Sequence, residues 1–335
     1  MVIDIKSVTK TFKVQQKEKG IKGIFKSFFI KKYKYINAVN NLNISLEKGE
    51  ILGYIGVNGS GKSTTIKMLT GILIPSAGEV KVLGKNPYKY RKEIAKKIGV
   101  VFGQRSQLIW DIPPIDTFNL LSKIYEIPRN EYHERLRYIV DFMEINDLLN
   151  VPVRKLSLGQ RMCCEITASL LHKPEILFLD EPTIGLDILN KERIRKLIRQ
   201  MRDEYNTTVI LTTHDLDDVE KLCDRIVVID KGTKVYEGSL KSLRVEYGAL
   251  NTIKVKFNSI VEPVDFLGEY TNCKLSYSNN LLYIKYNKNV YKTTDLINKI
   301  IQQFSNIIDI TIIETGIDEI VKEIYNNAHE RGASS

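Results

Sequence analysis

The chain has 335 residues, 43% hydrophobic and 27% charged, a globular balance with room for a large domain and a smaller one. No run of about 20 uncharged apolar residues occurs, which excludes a membrane-spanning helix, and the start Met1-Val2-Ile3-Asp4-Ile5-Lys6 does not read as a secretory leader. The net charge of +10 is concentrated between Lys10 and Tyr35, where nine lysines face Glu18 alone, so one local partner is expected there and nucleic acid is not.

In chain order, the basic insert spans about residues 13–36. Within it Ile21, Ile24, Phe25, Phe28 and Phe29 form an apolar stripe at helical spacing, flanked by Lys19, Lys22, Lys26 and Lys31. Gly20 and Gly23 each weaken such a helix by about 1 kcal/mol, so its stability must come from whatever covers the stripe. Two coverings stand open: the chain's own β-rich part, or an anionic membrane surface with its proteins.

Residues 50–55, 176–180 and 208–212 are near-continuous apolar runs, as expected of strands buried on both faces of a parallel sheet. Amphipathic helices are expected at Lys191–Tyr205 and Leu216–Leu222, giving an α/β layered domain over residues 1–240. Residues 115–172 show helical patterning without a clear strand and predict an inserted helical subdomain. Cys163, Cys164, Cys223 and Cys273 have no metal-ligand spacing and read as thiols of a reducing compartment. Beyond Gly238 the pattern changes: Ile253, Val255 and Phe257 alternate with polar residues, as do Leu282, Ile284 and Tyr286. A helix through Leu296, Ile297, Ile300, Ile301 and Phe304 follows, then a strand over 307–313 and a helix Ile317–Tyr325 opened by a capping signal at Thr315. Residues 246–329 are therefore expected to form a small α+β domain, regulatory or dimer-stabilising, since they carry no phosphate loop or acidic cluster.

The chemistry begins at Gly56-Val57-Asn58-Gly59-Ser60-Gly61-Lys62-Ser63-Thr64, which follows an expected strand and opens an expected helix. The glycines let backbone N–H groups turn inward around phosphate oxygens at the positive end of the helix. Lys62 supplies a compact charge to the outer phosphates, and the Ser63 hydroxyl suits Mg²⁺. The pattern with its strand–helix context specifies a nucleoside triphosphate, without saying what the energy does.

Further on stand Leu156-Ser157-Leu158-Gly159-Gln160, 95 residues after Lys62, then Ile176-Leu177-Phe178-Leu179-Asp180-Glu181-Pro182, Ile184-Gly185-Leu186-Asp187 and Thr212-Thr213-His214-Asp215. In this order residues 1–240 resemble ATP-binding cassette (ABC) ATPases. The resemblance implies a P-loop NTPase fold of ABC type, ATP and Mg²⁺ as cofactors, and two subunits sandwiching two ATP molecules, as a homodimer or pseudo-dimer. It makes the 156–160 segment a signature loop in which Ser157, Gly159 and Gln160 reach ATP held by the partner; Leu158 departs from the commoner glycine. It makes Asp180 a Mg²⁺ ligand, Glu181 the residue that orients the attacking water, Asp187 a contact across the dimer and His214 a γ-phosphate switch. Phe12 takes the position of the aromatic that stacks on adenine, with a core phenylalanine as the other reading. In the Q-loop Gly103 intervenes after Phe102; Gln104 is the expected contact to Mg²⁺ and water, with Gln107 as second candidate.

The stretch from Gly103 to Asp111 resembles ATPases serving ABC-2 type exporters, which implies separate transmembrane permease subunits docking near Trp110, Ile112 and Pro113. The subunit is then expected at the cytoplasmic face of the cell membrane, peripheral through the permeases, with the 13–36 insert as a possible second contact. Ribosome-associated relatives resemble two tandem cassettes, chromosome-maintenance ATPases separate the signature from the phosphate loop by hundreds of residues, and P-loop kinases need neither signature nor D-loop. One complete set of motifs at short spacing, with the signature and the 184–187 segment present, favours the transporter ATPase over all three.

Overall fold

A computed structural model describes residues 1–15, 33–103, 106–213, 215–264, 266–268, 270 and 272–333. The stripe from Ile21 to Phe29, Gln104 and His214 lie outside the described residues. The chain divides into two compact units, Met1–Glu237 and Gly238–Ser335.

The first unit opens with an antiparallel pair, β1 (Ile3–Gln15) and β2 (Tyr33–Leu46). Both ends of the basic insert are strand: Val14 pairs with Lys34, and the Lys13 ammonium lies 3.9 Å from the centre of the Tyr33 ring. Then come β3 (Ile51–Gly56), α1 (Lys62–Leu69), β4 (Ala77–Val82), α2 (Arg91–Ala95) and β5 (Ile98–Phe102). Residues 114–170 carry α3 (Pro114–Ile124), α4 (Arg129–Met143) and α5 (Leu158–Leu170), the first two starting behind Pro113 and Pro128, whose fixed φ suits a helix entry. The α/β order resumes with β6 (Ile176–Asp180), α6 (Ile188–Tyr205), β7 (Thr208–Thr213), α7 (Leu216–Leu222), β8 (Arg225–Asp230) and β9 (Thr233–Ser239). α6 begins three residues before the expected Lys191, because the Asp187 side chain accepts from the Asn190 N–H and caps an earlier turn.

A six-stranded sheet runs in the order β5-β6-β7-β3-β8-β9, and β5, β6, β7, β3 and β8 pair in parallel. Every residue of β3 and β7 is buried, which is why these segments carry no charge and read as near-continuous apolar runs. A second sheet, β2-β1-β4, packs into the same core through Ile3, Val8, Leu42 and Val82. At the rates for apolar burial, each such fully buried side chain contributes about 1.5–3 kcal/mol. The strand order places the C-terminal ends of β3, β6 and β7 side by side, so the loops that follow them converge. In α/β sheets that is where ligands are taken.

The second unit holds α8 (Leu240–Glu246), β10 (Leu250–Phe257), β11 (Lys274–Ser278), β12 (Leu281–Asn287), α9 (Thr293–Gln303), β13 (Ile307–Glu314) and α10 (Ile317–Ala333). Its antiparallel sheet is ordered β11-β12-β10-β13. Ile253, Val255, Phe257, Leu282, Ile284 and Tyr286 form one buried face, covered by Leu296 and Ile300 of α9. Two details extend the expectation. The Thr315 hydroxyl donates to the Leu250 carbonyl and so ties the helix entry to the neighbouring strand. α10 also runs past Tyr325 to Ala333.

Candidate functional site

The turn between β3 and α1 is built on glycine. Gly59 and Gly61 have φ of +81° and +109°, and a Cβ on Gly61 would stand 2.3 Å from the Ala38 carbonyl oxygen. A side chain there would be strained and would collide with backbone, so the loop can close onto α1 only with glycine at this position. Lys62 is buried, its ammonium donating to the carbonyls of Gly56 at 2.6 Å and Val57 at 3.3 Å. Burial pushes its pKa below the ordinary lysine value, against the opposing pull of Glu181 and Asp180. A desolvated, carboxylate-faced ammonium is poised to neutralise an incoming anion.

Facing the loop is the end of β6. The Ser63 hydroxyl donates to Asp180 Oδ2 at 3.0 Å, joining residues 117 positions apart, and the Thr212 hydroxyl donates to the other Asp180 oxygen. Glu181 follows with φ of +56°, and its N–H donates to the Thr212 carbonyl at 2.9 Å. A left-handed non-glycine residue costs on the order of 1 kcal/mol, and here it turns the chain off β6 at the cleft wall. Asn58, Gly59, Gly61, Lys62, Ser63, Thr64, Phe102, Gly103, Asp180 and Glu181 line one open cleft of about 730 Å³, within the size range of small-molecule sites. Gly56 and Ser60 lie just beneath. The Ser60 hydroxyl is buried without a partner among the described residues, and a Cβ on Gly56 would stand 2.2 Å from it. Hydroxyl and carboxylate oxygens side by side, Ser63 with Asp180, form the hard-oxygen donor set that Mg²⁺ takes.

The signature segment forms the start of α5. Ser157 Oγ accepts from the Gln160 N–H at 3.2 Å, and Gln160 Oε1 accepts from the Ser157 N–H at 2.9 Å, a reciprocal capping box. Leu158, where the family more often has glycine, packs on the 184–187 turn: a Cβ on Gly185 would stand 2.6 Å from Leu158 Cδ2, and one on Gly159 would stand 3.0 Å from Leu186. Ser157, Gly159, Gln160 and Asp187 thus share a second surface, and none of them lines the cleft of Lys62. Phe12 is not a core residue; it is 36% exposed on β1 beside the Lys10 ammonium, and it is not among the cleft-lining residues.

Of the two glutamine candidates, Gln107 is engaged elsewhere: its side-chain amide donates to the Glu165 carbonyl at 2.9 Å, and its N–H to the Glu165 carboxylate at 3.2 Å. Glu165 is buried on α5; burial raises its pKa, opposed by hydrogen bonds from Ser106 and Gln107. Gly103, the inserted residue, would bring a Cβ to 3.0 Å from the Asp180 carbonyl, so the chain passes the β6 end closely just before Gln104.

Sequence reasoning missed three contributors. Thr212 orients Asp180; its signal was a polar residue at the end of an apolar strand. Glu165 anchors the loop after β5. Arg195, only 4% exposed, pairs with the fully buried Asp218 and with Asp217 and Glu192, while the Thr183 hydroxyl donates to Asp218. That cluster and the Lys191–Asp215 pair tie α6 to the segment following β7.

Comparison with known proteins agrees with this geometry. Residues 39–184 match the ABC transporter family. The ABC transporter ATP-binding protein NatA of Bacillus subtilis is 33% identical over 215 residues, covering 64% of this chain and 87% of NatA. The linearmycin resistance ATP-binding protein LnrL of the same organism is 34% identical, covering 67% of this chain and 71% of LnrL. Among solved structures, a dimeric ATP-binding cassette in a post-hydrolysis state with ADP and Pi superposes with a TM-score of 0.59 at 27% identity, over 71% of this chain and 98% of that one. ABC ATPases of this kind dimerise and work with transmembrane partners. With its phosphate loop facing Asp180 and Glu181, and with this kinship along most of NatA, the chain belongs to the ABC transporter family as an ATP-binding, ATP-hydrolysing subunit.

Proposed function

We propose that the chain hydrolyses Mg·ATP at the interface of two such subunits and thereby drives export through separate permease subunits of the ABC-2 type. The observation that carries this reading is the single cleft in which Lys62 and Ser63 of the phosphate loop meet Asp180 and Glu181 of β6. Bound Mg²⁺, held by Ser63, Asp180 and Gln104, would neutralise charge on the transferred phosphoryl group. Lys62 draws the outer phosphates inward, and Glu181 orients the attacking water and takes up its proton. Asn58, Gly59, Ser60, Gly61 and Thr64 wrap the phosphates with Gly56 beneath them, Phe12 stacks on adenine, and His214 senses the γ-phosphate. Ser157, Gly159, Gln160 and Asp187 act on ATP held by the second subunit, which accounts for their lying on a surface apart from the cleft.

Export is supported by the Gly103–Asp111 stretch and by the kinship to a linearmycin resistance protein. Trp110, 51% exposed with the Arg161 guanidinium 5.6 Å over its ring, is the side chain most available to a permease. Ile112 and Pro113 flank it. The 13–36 insert adds a partial, salt-sensitive contact at the cytoplasmic membrane surface, where each lysine that reaches the surface contributes about 1 kcal/mol. Among the described residues no helix is long and apolar enough to cross a membrane.

The test is Glu181→Gln. The variant should bind Mg·ATP and dimerise on gel filtration while turnover falls by about 10² or more, the usual loss for a catalytic base. Turnover above roughly a tenth of wild type would exclude Glu181 from that role.

A further inference from the structure

The sheet of the second unit ends on β13, whose outer edge has no neighbouring strand among the described residues. β13 is eight residues long and contains five isoleucines, Ile307, Ile308, Ile310, Ile312 and Ile313, against Asp309 and Glu314. Ile308, Ile312 and Ile313 are 59%, 48% and 43% exposed. Long apolar edges of this kind recruit another strand, and proteins usually blunt them with lysine or proline; β13 has neither. Its one irregularity, the register shift between Asp309 and Ile307, lies at the start and leaves 309–314 regularly paired to β10.

We propose that β13 is a pairing edge for β13 of a second copy of this chain, joining two four-stranded sheets into one eight-stranded sheet across a two-fold axis at Ile310. The strand's own sequence selects both occupant and register. In an antiparallel pair related by a two-fold axis, a residue and its partner lie on the same face, so the permitted registers differ by two residues. Centred on Ile310, the pairing sets Ile310 against itself, Ile308 against Ile312, and Asp309 against Thr311. Within one strand Thr311 already donates a hydrogen bond to Asp309 at 3.0 Å, so the two groups are matched donor and acceptor. Centred on Asp309, two like charges face each other, and centred on Thr311, Asp309 faces Ile313 and Glu314 faces Ile308. Opposed like charges destabilise a strand pair, while matched β-branched pairs contribute about 0.2–1 kcal/mol each. Of these three central registers, which pair the most residues, only the one centred on Ile310 is self-complementary. The contact does not use nucleotide, so it is separate from the ATP-dependent dimer.

The experiment is sedimentation equilibrium of the full chain without nucleotide. Wild type should show a reversible monomer–dimer equilibrium at micromolar concentration. Ile308→Lys/Ile312→Lys, which sets lysine against lysine twice in this register, should weaken dimerisation about tenfold or more, as should Ile308→Glu/Ile312→Glu. Both positions are exposed, and unchanged circular dichroism and ATP binding certify folding. Mixing the two variants sets lysine against glutamate twice and should restore dimer to near wild-type strength. A wild type that stays monomeric, a dimer indifferent to both variants, or a mixture that restores nothing would each overturn the proposal.

Discussion

The Arg195–Asp218 pair offers the sharpest test of how the first unit holds its catalytic loops. Asp218→Asn keeps the side chain's shape and removes its charge. In the native protein Arg195 is 4% exposed and Asp218 fully buried; Arg195 Nε donates to Asp218 Oδ1 at 2.7 Å, and the Thr183 hydroxyl donates to the same carboxylate. Burial works most strongly against the guanidinium charge, and Asp218, Glu192 and Asp217 together outweigh it, holding the Arg195 pKa above the ordinary arginine value. Removing one partner of a buried pair costs about 3–5 kcal/mol, because the other charge is left uncompensated. Glu192 and Asp217 remain within 2.8 Å of Arg195, but they are 41% and 53% exposed and screened, so the expected loss sits at the lower end, about 3 kcal/mol. For a domain of this size that lowers the melting temperature by roughly 6–12 °C. Replacing both partners by apolar residues of similar volume, Arg195→Met with Asp218→Leu, should recover most of the loss, since no buried charge remains. Differential scanning calorimetry of the two variants and wild type decides the matter. A melting temperature for Asp218→Asn within a degree of wild type would refute the reasoning, as would a double variant less stable than the single one.

Two further outcomes are expected. Lys62→Ala should lose nucleotide affinity and Ser157→Arg should keep it but lose turnover; mixing them should restore one competent site per mixed dimer, measured as ATPase activity, and no recovery in demonstrable mixed dimers would rule out shared sites. His172 stacks on Tyr125 with ring centres 3.9 Å apart and shares its Nε2 with the Ile98 carbonyl at 3.0 Å. Burial, aided by Arg135 and opposed by that carbonyl, pushes its pKa down to about 4. Because the folded value lies below the unfolded one, the folded state is favoured above about pH 6.5 and loses up to roughly 3 kcal/mol as pH falls towards 4. Denaturant titrations of wild type and His172→Gln should therefore converge in slope above that window and diverge within it; parallel profiles throughout would contradict the shift.

The phosphate loop, the end of β6 and the capped start of α5 were legible in the sequence because each is a local solution. Gly61 is demanded by a backbone turn and a carbonyl at contact distance, Ser157 and Gln160 by four residues of helix start, and Asp180 by a strand whose apolar run announces its burial. Other features depend on residues far apart in the chain. Ser63 meets Asp180 across 117 positions, Thr212 approaches the same carboxylate from a neighbouring strand, and Glu165 takes Gln107 out of contention from another helix. Arg195 and Asp218, buried at the centre of their cluster, read in sequence as ordinary charged helix surface, since periodicity marks which face is polar and not what lies against it. The same holds for β13: the sequence by itself determined a strand rich in isoleucine, whereas only the tertiary order β11-β12-β10-β13 decided that it is an edge. Strand order follows from chain crossing and mutual burial, which no local pattern encodes.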